Sequence, residues 1–391
     1  MENDFIRPEI RFQSDELNWE EYKIGEIFKV TRGQVLATSK TSQVKSDKNP
    51  YPVYSSQTKN NGLMGYYNKY LFDTAITWTT DGANAGTVNF REGKFYSTNV
   101  NGVLLSEKGY ANKAVAEALN LIAWKYVSKV GNPKLMNNVM SEITIALPKT
   151  IKQQEEIGDF FEKIDNIINL HQQELNTLKQ TKQGFLQKMF PKEGESVPKL
   201  RFPRFTDDWE KSKIGKITDS FSGGTPSANK KEYYGGSIPF IRSGEINSES
   251  TELFLSEEGL KNSSAKLVKK GDVLYAMYGA TSGEVGISKI NGAINQAILA
   301  LKPKGENDAN FITQWLIRQK TSIVNTFLQG GQGNLSGTIV KEIFIPIPTS
   351  KEEQIQIGNF FKQLDELIAL QQQELDALKQ TKKAFLQKML V

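Results

Sequence analysis

Two stretches of the chain place apolar residues at alternating spacings of four and three. The ten positions of the first stretch, eight of them apolar, are Ile157, Phe161, Ile164, Ile168, His171, Leu175, Leu178, Lys182, Phe185 and Met189. The second stretch has Ile357, Phe361, Leu364, Ile368, Gln371, Leu375, Leu378, Lys382, Phe385 and Met389. This spacing is the seam of a coiled coil. It predicts two long helices, each about 54 Å in length.

The two helical stretches are copies of each other. Residues 154–189 and 354–389 are identical at 22 of 36 positions. A second repeated block lies upstream of each helix, where Pro8-x-x-Arg11-Phe12 matches Pro198-x-x-Arg201-Phe202 and Trp19-Glu20-x-x-Lys23-Ile24-Gly25 matches Trp209-Glu210-x-x-Lys213-Ile214-Gly215. The chain is therefore a tandem repeat.

Between the repeated blocks, residues 29–144 and 218–344 do not resemble each other. Both have Gly-rich loops and short runs of β-branched and aromatic residues, which predict strands. The predicted strands are 70–79, 94–105, 143–147, 237–242, 271–278, 294–301 and 339–347, and the predicted helices are 112–129 and 309–327. Each insert is thus predicted to be a mostly β domain with one longer helix.

One amphipathic helix cannot bury its own apolar stripe, but two can cover each other. We therefore expect an intramolecular antiparallel coiled coil with pseudo-two-fold symmetry, in which the polar His171 and Gln371 lie near the centre. Two interpretations of this pair stay open: it fixes the register, or it consists of polar residues that the seam tolerates. The predicted fold class is α+β. The predicted boundaries are 1–148 for the first domain, 149–190 for the first helix, 191–348 for the linker and second domain, and 349–391 for the second helix.

Composition excludes several kinds of chemistry. The 391 residues contain no Cys and one His, which rules out disulfides, thiolate nucleophiles, iron–sulfur clusters and metal sites with two His ligands. The acidic N-terminus has no apolar signal segment, and no run of about 18 apolar residues occurs. We therefore expect a cytoplasmic protein that does not contact a membrane.

The net charge of +5 mildly favours an anionic partner. Residues 29–94 hold nine basic and four acidic side chains, whereas the helical stretch 151–190 is slightly acidic. Lys and Arg neutralise phosphates, and Arg, Asn and Gln can bind base edges. Loops of this composition are equally typical of ordinary surface turns.

Several motifs resemble the specificity (S) subunits of type I restriction–modification systems, and the resemblance covers essentially the whole chain. The motifs are Pro198-Lys199-Leu200-Arg201-Phe202-Pro203, Gly223-Gly224-Thr225-Pro226-Ser227, Gly271-Asp272-Val273-Leu274, Tyr51-Pro52-Val53-Tyr54-Ser55-Ser56-Gln57, and the helix entries Gln154…Ile157-Gly158 and Gln354…Ile357-Gly358. The resemblance implies two target-recognition domains joined by antiparallel helices. Each domain would read one half of a bipartite, asymmetric site in double-stranded DNA, and the helices would set the spacer. The candidate DNA-binding residues that we choose on this basis are Arg32, Gln57, Lys59, Asn60, Asp81, Thr225, Ser227, Lys230, Arg242, Tyr278 and Asn334. Of these, we expect Arg242 to read a base and Lys230 to bind a phosphate.

The resemblance also implies partners. Two modification (M) subunits would dock on the helices, and restriction (R) subunits would join that core. This chain would hold no cofactor and would be non-catalytic. S-adenosylmethionine would be used by the M subunits, and ATP and Mg²⁺ by the partner subunits.

The residues themselves leave alternatives open. The chain has no phosphate-binding P-loop and no Asn/Asp-Pro-Pro-aromatic motif of adenine methyltransferases. Asp81 and Glu92-Gly93-Lys94 fit a nuclease pattern, but that pattern is very permissive. The alternatives to a DNA-specificity subunit are a protein-only scaffold with two binding modules and an unrecognised nuclease or methyltransferase fragment.

Overall fold

The structure is a computed structural model, and it describes residues 8–12, 19–56, 59–328 and 334–390. The chain divides into two compact units. Unit 1 comprises residues 1–173 and 373–391, and unit 2 comprises residues 174–372. Each unit therefore contains one of the two inserts and a part of both long helices.

Unit 1 is built on a six-stranded sheet. The strands described in unit 1, six of which form this sheet, are β1 (Trp19–Lys23), β2 (Lys29–Arg32), β3 (Tyr51–Tyr54), β4 (Leu63–Tyr67), β5 (Phe72–Thr79), β6 (Val88–Ser97), β7 (Asn101–Leu105) and β8 (Thr144–Pro148). The sheet has the order β2-β7-β5-β6-β3-β4, and only β3 and β6 pair in parallel. β1 and β8 form a separate antiparallel ribbon, so the chain leaves this domain beside the strand on which it entered.

Three short helices complete the domain of unit 1: α1 (Ile24–Ile27), α2 (Lys113–Ile122) and α3 (Asn137–Glu142). Asn112 caps α2, because its side chain accepts a hydrogen bond from the backbone N–H of Val115 at 3.1 Å. Beyond Ile122 the chain continues as a 3₁₀ turn over Ala123–Tyr126.

Two predictions for unit 1 are wrong in extent. The predicted strand 94–105 is the end of β6, a turn and β7, and the turn is closed by the N–H of Asn101, which donates to the carbonyl of Thr98. The predicted helix 112–129 ends at Ile122. The indole of Trp124 donates to the carbonyl of Leu121, so a side chain takes a backbone acceptor at the helix end.

Eight of the ten strands described in unit 2 form two four-stranded sheets. Its strands are β9 (Glu210–Lys213), β10 (Thr218–Ser222), β11 (Tyr234–Ile241), β12 (Phe254–Leu255), β13 (Lys266–Val268), β14 (Val273–Ala276), β15 (Val285–Ile287), β16 (Gly292–Ile294), β17 (Ile298–Pro303) and β18 (Phe344–Ile347). The sheet orders are β10-β17-β14-β15 and β12-β11-β16-β13. β9 and β18 form the entry and exit ribbon, as β1 and β8 do in unit 1.

The helices of the unit 2 domain are α5 (Ile214–Ile217), α6 (Glu257–Lys261), α7 (Ala309–Leu328) and α8 (Gly337–Glu342). The bounds of α7 agree closely with the predicted helix 309–327. The predicted strand 339–347 is wrong over its first residues, which form α8. The hydroxyl of Ser336 accepts from the N–H of Ile339 and caps this helix. The cap outweighs the strand preference of Ile339 and Val340.

The long helices are α4 (Ile151–Lys188) and α9 (Lys351–Met389), of 38 and 39 residues. In unit 1, the Phe160 and Phe385 rings meet edge to face at 5.2 Å. Farther along α4, Asp165 contacts Lys382 of α9 at 2.6 Å. Residue numbers rise on one helix as they fall on the other, so the two segments are antiparallel. In unit 2 the same holds for Phe185 with Phe360 and for Lys182 with Asp365.

The predicted seam follows the covered side of both helices. The predicted interface positions Phe161, Ile164, Ile168, His171, Leu175, Leu178, Phe361, Leu364, Ile368, Gln371, Leu375 and Leu378 are all buried or half-buried. Their outward neighbours Leu170 and Leu370 are more than half exposed. In each unit, the seam continues into the core of the domain through a buried phenylalanine, Phe161 in unit 1 and Phe361 in unit 2.

In the described part of the chain, every helix is too short or too polar to cross a lipid bilayer. No group of three or more His, Cys, Asp or Glu side chains among the described residues is arranged to hold a metal ion.

Candidate nucleic-acid interface

Repeated contacts attach each insert to the long helices. In unit 1 the N–H of Ile10 donates to the carbonyl of Lys388 at 3.0 Å, and in unit 2 the N–H of Leu200 donates to the carbonyl of Lys188 at 2.9 Å. Phe12 packs edge to face on Phe160, and Phe202 packs likewise on Phe360. We call the two long helices with these repeated contacts the frame, and the same frame holds two different inserts.

The candidate residues of unit 1 lie on turns beside the sheet. Arg32 is exposed at the end of β2 and donates to the carbonyl of Asn99 at 2.9 Å. Lys59 and Asn60 are exposed in a 3₁₀ turn, Lys59–Gly62, that connects β3 and β4. Gln57 lies outside the described residues. These polar side chains are placed where a ligand could reach them, and their contact with DNA stays a prediction.

The turn that carries Lys59 has an unusual backbone. Asn60 and Asn61 both have left-handed conformations, with φ of 50° and 51°. Asn tolerates this region better than other residues with a side chain, although it costs free energy in most settings. The turn is closed by the N–H of Ser55, which donates to the carbonyl of Gly62 at 2.8 Å. The backbone therefore holds Asn60 in an outward position.

Asp81 follows β5 and is half-buried. Its carboxylate accepts a hydrogen bond from the hydroxyl of Thr80 at 2.6 Å and lies 3.9 Å from the ammonium of Lys134. The backbones of Asp81 and Lys134 also form an isolated β-bridge. Lys94, the last member of the permissive nuclease pattern, lies over the ring of Tyr70 instead.

In unit 2, three candidates lie on the loop after β10. Thr225 is exposed and donates to the side-chain carbonyl of Gln296 at 2.7 Å. Ser227 is exposed, and its carbonyl accepts from the N–H of Lys230. The ammonium of Lys230 is 2.9 Å from the hydroxyl of Tyr233, and this hydrogen bond raises the pKa of Lys230 above its ordinary value. Lys230 is thus an exposed cation, as a phosphate contact requires.

Arg242 already has partners. Its guanidinium donates to both carboxylate oxygens of Glu245, at 3.0 and 2.7 Å, and to Glu252 at 2.7 Å. The hydrogen bond from Arg242 holds the pKa of Glu245 at about 2. These bonds use Nε and one Nη, so a bidentate contact to a base through both Nη groups would require Glu245 or Glu252 to release the shared nitrogen. Its predicted role as a base reader therefore has a competitor that the sequence did not indicate.

Tyr278 and Asn334 are brought together, because their backbones form an antiparallel bridge. Tyr278 follows β14 as Asp81 follows β5, and Asn334 corresponds in this pairing to Lys134 of unit 1. The structure therefore places candidates of the two units at matching positions, although the residue types differ.

The two polar seam residues each face a glutamate. In unit 1, Nδ1 of His171 lies 3.9 Å from a carboxylate oxygen of Glu374. In unit 2, the amide of Gln371 donates to Glu174 at 3.1 Å. Each pair joins α4 to α9. Their predicted role in fixing the register stays a prediction, for which His171→Leu is the direct test.

Sequence reasoning missed a buried charge cluster in unit 1. Lys382 of α9 contacts Asp165 of α4 at 2.6 Å and Glu117 of α2 at 3.0 Å. Lys113 contacts the same two carboxylates at 2.7 and 3.0 Å. Burial alone would raise the pKa of Asp165, but hydrogen bonds from Lys113 and Lys382 lower it. The signal was available, since Asp165 and Lys382 are repeated as Asp365 and Lys182.

The sequence also gave no warning of a buried ion pair in unit 2. Arg201 forms two parallel hydrogen bonds with the fully buried Glu353, at 2.6 and 2.8 Å. In unit 1 the corresponding residues are Arg11 and Gln153. The repeated contacts thus differ between the units at this ion pair as well.

Comparison with known proteins identifies the family. The model of the type I restriction modification DNA specificity domain matches residues 16–180 and again residues 206–380. The chain belongs to this family. The two matches cover most of the chain, and each contains one insert with most of the long helix that follows it.

Relatives of this family agree with the match. The type I restriction enzyme MjaVIII specificity subunit of Methanocaldococcus jannaschii is 23% identical over 398 aligned residues, which cover 94% of this chain and 90% of that protein. A type I specificity subunit of Mycoplasma pneumoniae, S.MpnORF507P, is 36% identical over 149 residues. That match covers 37% of this chain and 40% of the relative.

Solved structures show the same fold. The S subunit of the type I restriction–modification system of M. genitalium has a TM-score of 0.72, with 16% identity and 99% of each chain covered. A structure of a type I system described for its assembly and conformational transition has a TM-score of 0.55. The predicted α+β class, with two mostly β domains and antiparallel long helices, is confirmed.

Proposed function

We propose that this chain is the DNA-sequence-specificity subunit of a type I restriction–modification complex. Each insert would read one half of a bipartite, asymmetric site in double-stranded DNA. One observation carries the proposal: the contacts that hold the inserts on the helices are repeated between units, whereas the loops and sheet faces of the inserts differ. Two readers of different half-sites on one frame would show this pattern.

The long helices would set the spacer between the half-sites and dock two M subunits, with R subunits joining through that core. A helix of 38 residues is about 57 Å long. At about 3.4 Å per base pair, that length limits the separation to about 17 base pairs. In this proposal the chain would have no catalytic step of its own. S-adenosylmethionine would serve the M subunits, ATP and Mg²⁺ would serve the partner subunits, and the DNA substrate would make the location cytoplasmic.

The role of the helices can be tested by lengthening both of them together. One heptad inserted after Gln172 and one after Gln372 keeps the phase of the seam. It also keeps the antiparallel pairing within each unit. Each helix grows by about 10 Å, which allows at most about 3 additional base pairs. We expect a longer spacer with unchanged half-sites. A heptad in one helix alone is the matched control and should disrupt pairing.

DNA recognition itself can be tested through its salt dependence. The complex of this chain with its M subunits should bind a duplex that carries its recognition motif far more weakly at 200 mM than at 50 mM salt. The motif is identified from the DNA that the complex methylates in a host. Six to ten phosphate contacts predict a loss of about 10³- to 10⁵-fold. Lys230→Ala should reduce the slope by about one and affect all sequences alike. A flat salt response would contradict the proposal and favour a protein-only scaffold.

A further inference from the structure

The domain of unit 1 contains a small polar cavity beside the turn that carries Lys59. Its volume is about 60 Å³, and it is lined by Ser55, Asn61, Thr77, Thr79, Thr87, Asn89, Arg91 and Asn101. All eight side chains are polar. We call this space the Arg91 cavity.

Arg91 is a buried cation without an acidic partner among the described residues. Its side chain is 5% exposed, and its guanidinium lies 3.7 Å from the centre of the Tyr54 ring. Nε donates to the hydroxyl of Thr77 at 3.1 Å, and one Nη donates to the carbonyl of Asn61 at 2.6 Å. Burial lowers its pKa to about 10, so the group remains charged at neutral pH. An uncompensated buried charge is costly.

Other side chains of the cavity have unused hydrogen-bonding capacity. The side chains of Asn61, Thr79, Thr87, Asn89 and Asn101 form no hydrogen bond with any residue that the structure describes. Two of them, Thr79 and Asn101, are 6% and 2% exposed. Buried polar groups are normally satisfied by protein, water or a ligand. The cavity therefore presents donors and one positive charge to whatever enters it.

The fold does not require this polarity, because unit 2 has apolar residues at the same sheet positions. The N–H of Thr79 donates to Thr87, and the N–H of Ala276 donates likewise to Glu284. From this match, Thr77, Thr79 and Asn101 correspond through strand pairing to residues of the closed apolar core of unit 2, which are Leu274, Ala276 and Ile298. At these three positions, the polarity is thus confined to unit 1.

The chemistry of the cavity selects an anion. Its lining supplies a guanidinium, amides and hydroxyls and contains no carboxylate. The cavity is small and partly open, and it accommodates the two non-bridging oxygens of a phosphodiester. Arginine binds phosphate with charge-assisted hydrogen bonds.

We propose that the Arg91 cavity binds one phosphate group. If the proposed function holds, its source is a phosphodiester of the DNA strand at the half-site of unit 1. Free inorganic phosphate is the other source of the same chemistry. Because Arg91 also holds the carbonyl of Asn61, a phosphate bound there would lie beneath the turn that presents Lys59 and Asn60.

The first experiment titrates inorganic phosphate into the full-length chain by calorimetry at constant ionic strength. Arg91→Gln should weaken binding at least about tenfold, since it removes the charge-assisted donors. Arg204→Gln, an exposed arginine of unit 2, is the matched control and should bind like the wild type. If Arg91→Gln does not fold, Asn101→Ile supplies the test, because it places the residue of unit 2 in the cavity and keeps Arg91.

The second experiment identifies the source. Single methylphosphonate substitutions are scanned through the half-site of unit 1 in the complex with M subunits. A DNA phosphate predicts one position at which the substitution weakens the wild type about tenfold but leaves Arg91→Gln unaffected. Phosphate binding that depends on Arg91, without such a position, assigns the site to free phosphate. Equal phosphate binding by all variants, with no coupled position, overturns the proposal. If the wild-type complex does not bind DNA at all, that result contradicts only the proposed function.

Discussion

The two units differ most on one face of the sheet and least where the long helices pack on each other. In unit 1, Thr77, Thr79 and Asn101 surround a polar cavity, whereas Leu274 and Ile298 of unit 2 lie in a closed apolar core. Near the helices, by contrast, the edge-to-face ring pairs have nearly the same geometry, at 5.2 and 5.0 Å. The packing between the helices is therefore alike in the two units, whereas the sheet faces of the inserts differ.

A second difference lies on the helices themselves. In unit 1, Lys382 is held by Asp165 and Glu117. In unit 2, Lys182 contacts Asp365, whose other oxygen accepts from the amide of Gln314. Two charges of the insert, Lys113 and Glu117, therefore contact the helices in unit 1, where the insert of unit 2 contributes the neutral Gln314. Unit 2 has the Arg201–Glu353 pair in addition.

The largest effect is expected at that pair. Glu353→Gln introduces the residue that unit 1 has at position 153 and leaves Arg201 without its anion. Breaking a buried ion pair costs about 3 kcal/mol or more. Urea unfolding, with hydrogen exchange to locate the change in unit 2, measures it. Gln153→Glu is the reciprocal control in unit 1. A loss below about 1 kcal/mol for Glu353→Gln would show that the pair does not stabilise unit 2.

The difference between the sheet faces is tested by Leu274→Thr, which gives unit 2 the residue type found at Thr77. Leu274 is fully buried, so the change removes apolar contacts and buries a hydroxyl. We expect a loss of about 3 kcal/mol in the free energy of unfolding. Thr77→Val in unit 1 is the matched change and should cost about 1 kcal/mol, for the hydrogen bond from Arg91. Equal costs would mean that the two faces are alike.

The charge cluster is tested by comparing Lys382→Met with Lys182→Met. The first leaves Asp165 and Glu117 to share Lys113, and we expect a loss of about 2 kcal/mol. The second leaves Asp365, which is more exposed and keeps its hydrogen bond from Gln314, so about 1 kcal/mol is expected. Chemical unfolding measures the free energy of unfolding of both variants. A larger loss for Lys182→Met than for Lys382→Met would contradict the comparison.

The smallest expected effect concerns pH. The pKa of Asp165 is lowered in the folded chain, so its stabilising contribution is complete above its ordinary pKa of about 3.8 and is lost as the pH falls through the lower folded value. The wild type should therefore lose stability on acidification below about pH 4 more steeply than Asp165→Asn. Urea titrations at several pH values measure the two slopes. Parallel curves would show that Asp165 does not contribute to acid sensitivity.

The helices were largely predictable from the sequence. The spacing of Phe161, Leu175 and Leu178 locates the covered face, since only one side of such a helix can be buried. The ends of the strands were less predictable from the sequence. Asn99 gives a weak turn signal, and the 94–105 stretch therefore looked like one strand. Ser336 caps α8, yet the β-branched residues after it favoured a strand.

The candidate site was harder to predict than the fold. Exposed polar residues such as Arg32 and Lys230 can be chosen from composition, but their partners depend on the fold. Arg32 donates to Asn99, which is distant in the sequence. Arg242 pairs with Glu245, only three residues away, and composition alone did not indicate this pair. Arg91 was missed because it lies outside the predicted strands, between Phe90 and Glu92, where nothing in the sequence indicates burial. Its burial appears only when β5, β6 and the turn at Asn61 are assembled.

The central claim is that each unit reads its own half-site. It is tested most directly by mapping DNA methylation in a host that carries this chain and its M subunits, for the wild type and for a chain in which residues 29–142 are replaced by a second copy of residues 219–342. The account predicts one bipartite motif with two different half-sites for the wild type. It predicts a motif with two inverted copies of the unit 2 half-site for the replacement. If the replacement keeps the wild-type motif, the inserts do not read the half-sites and the account is wrong.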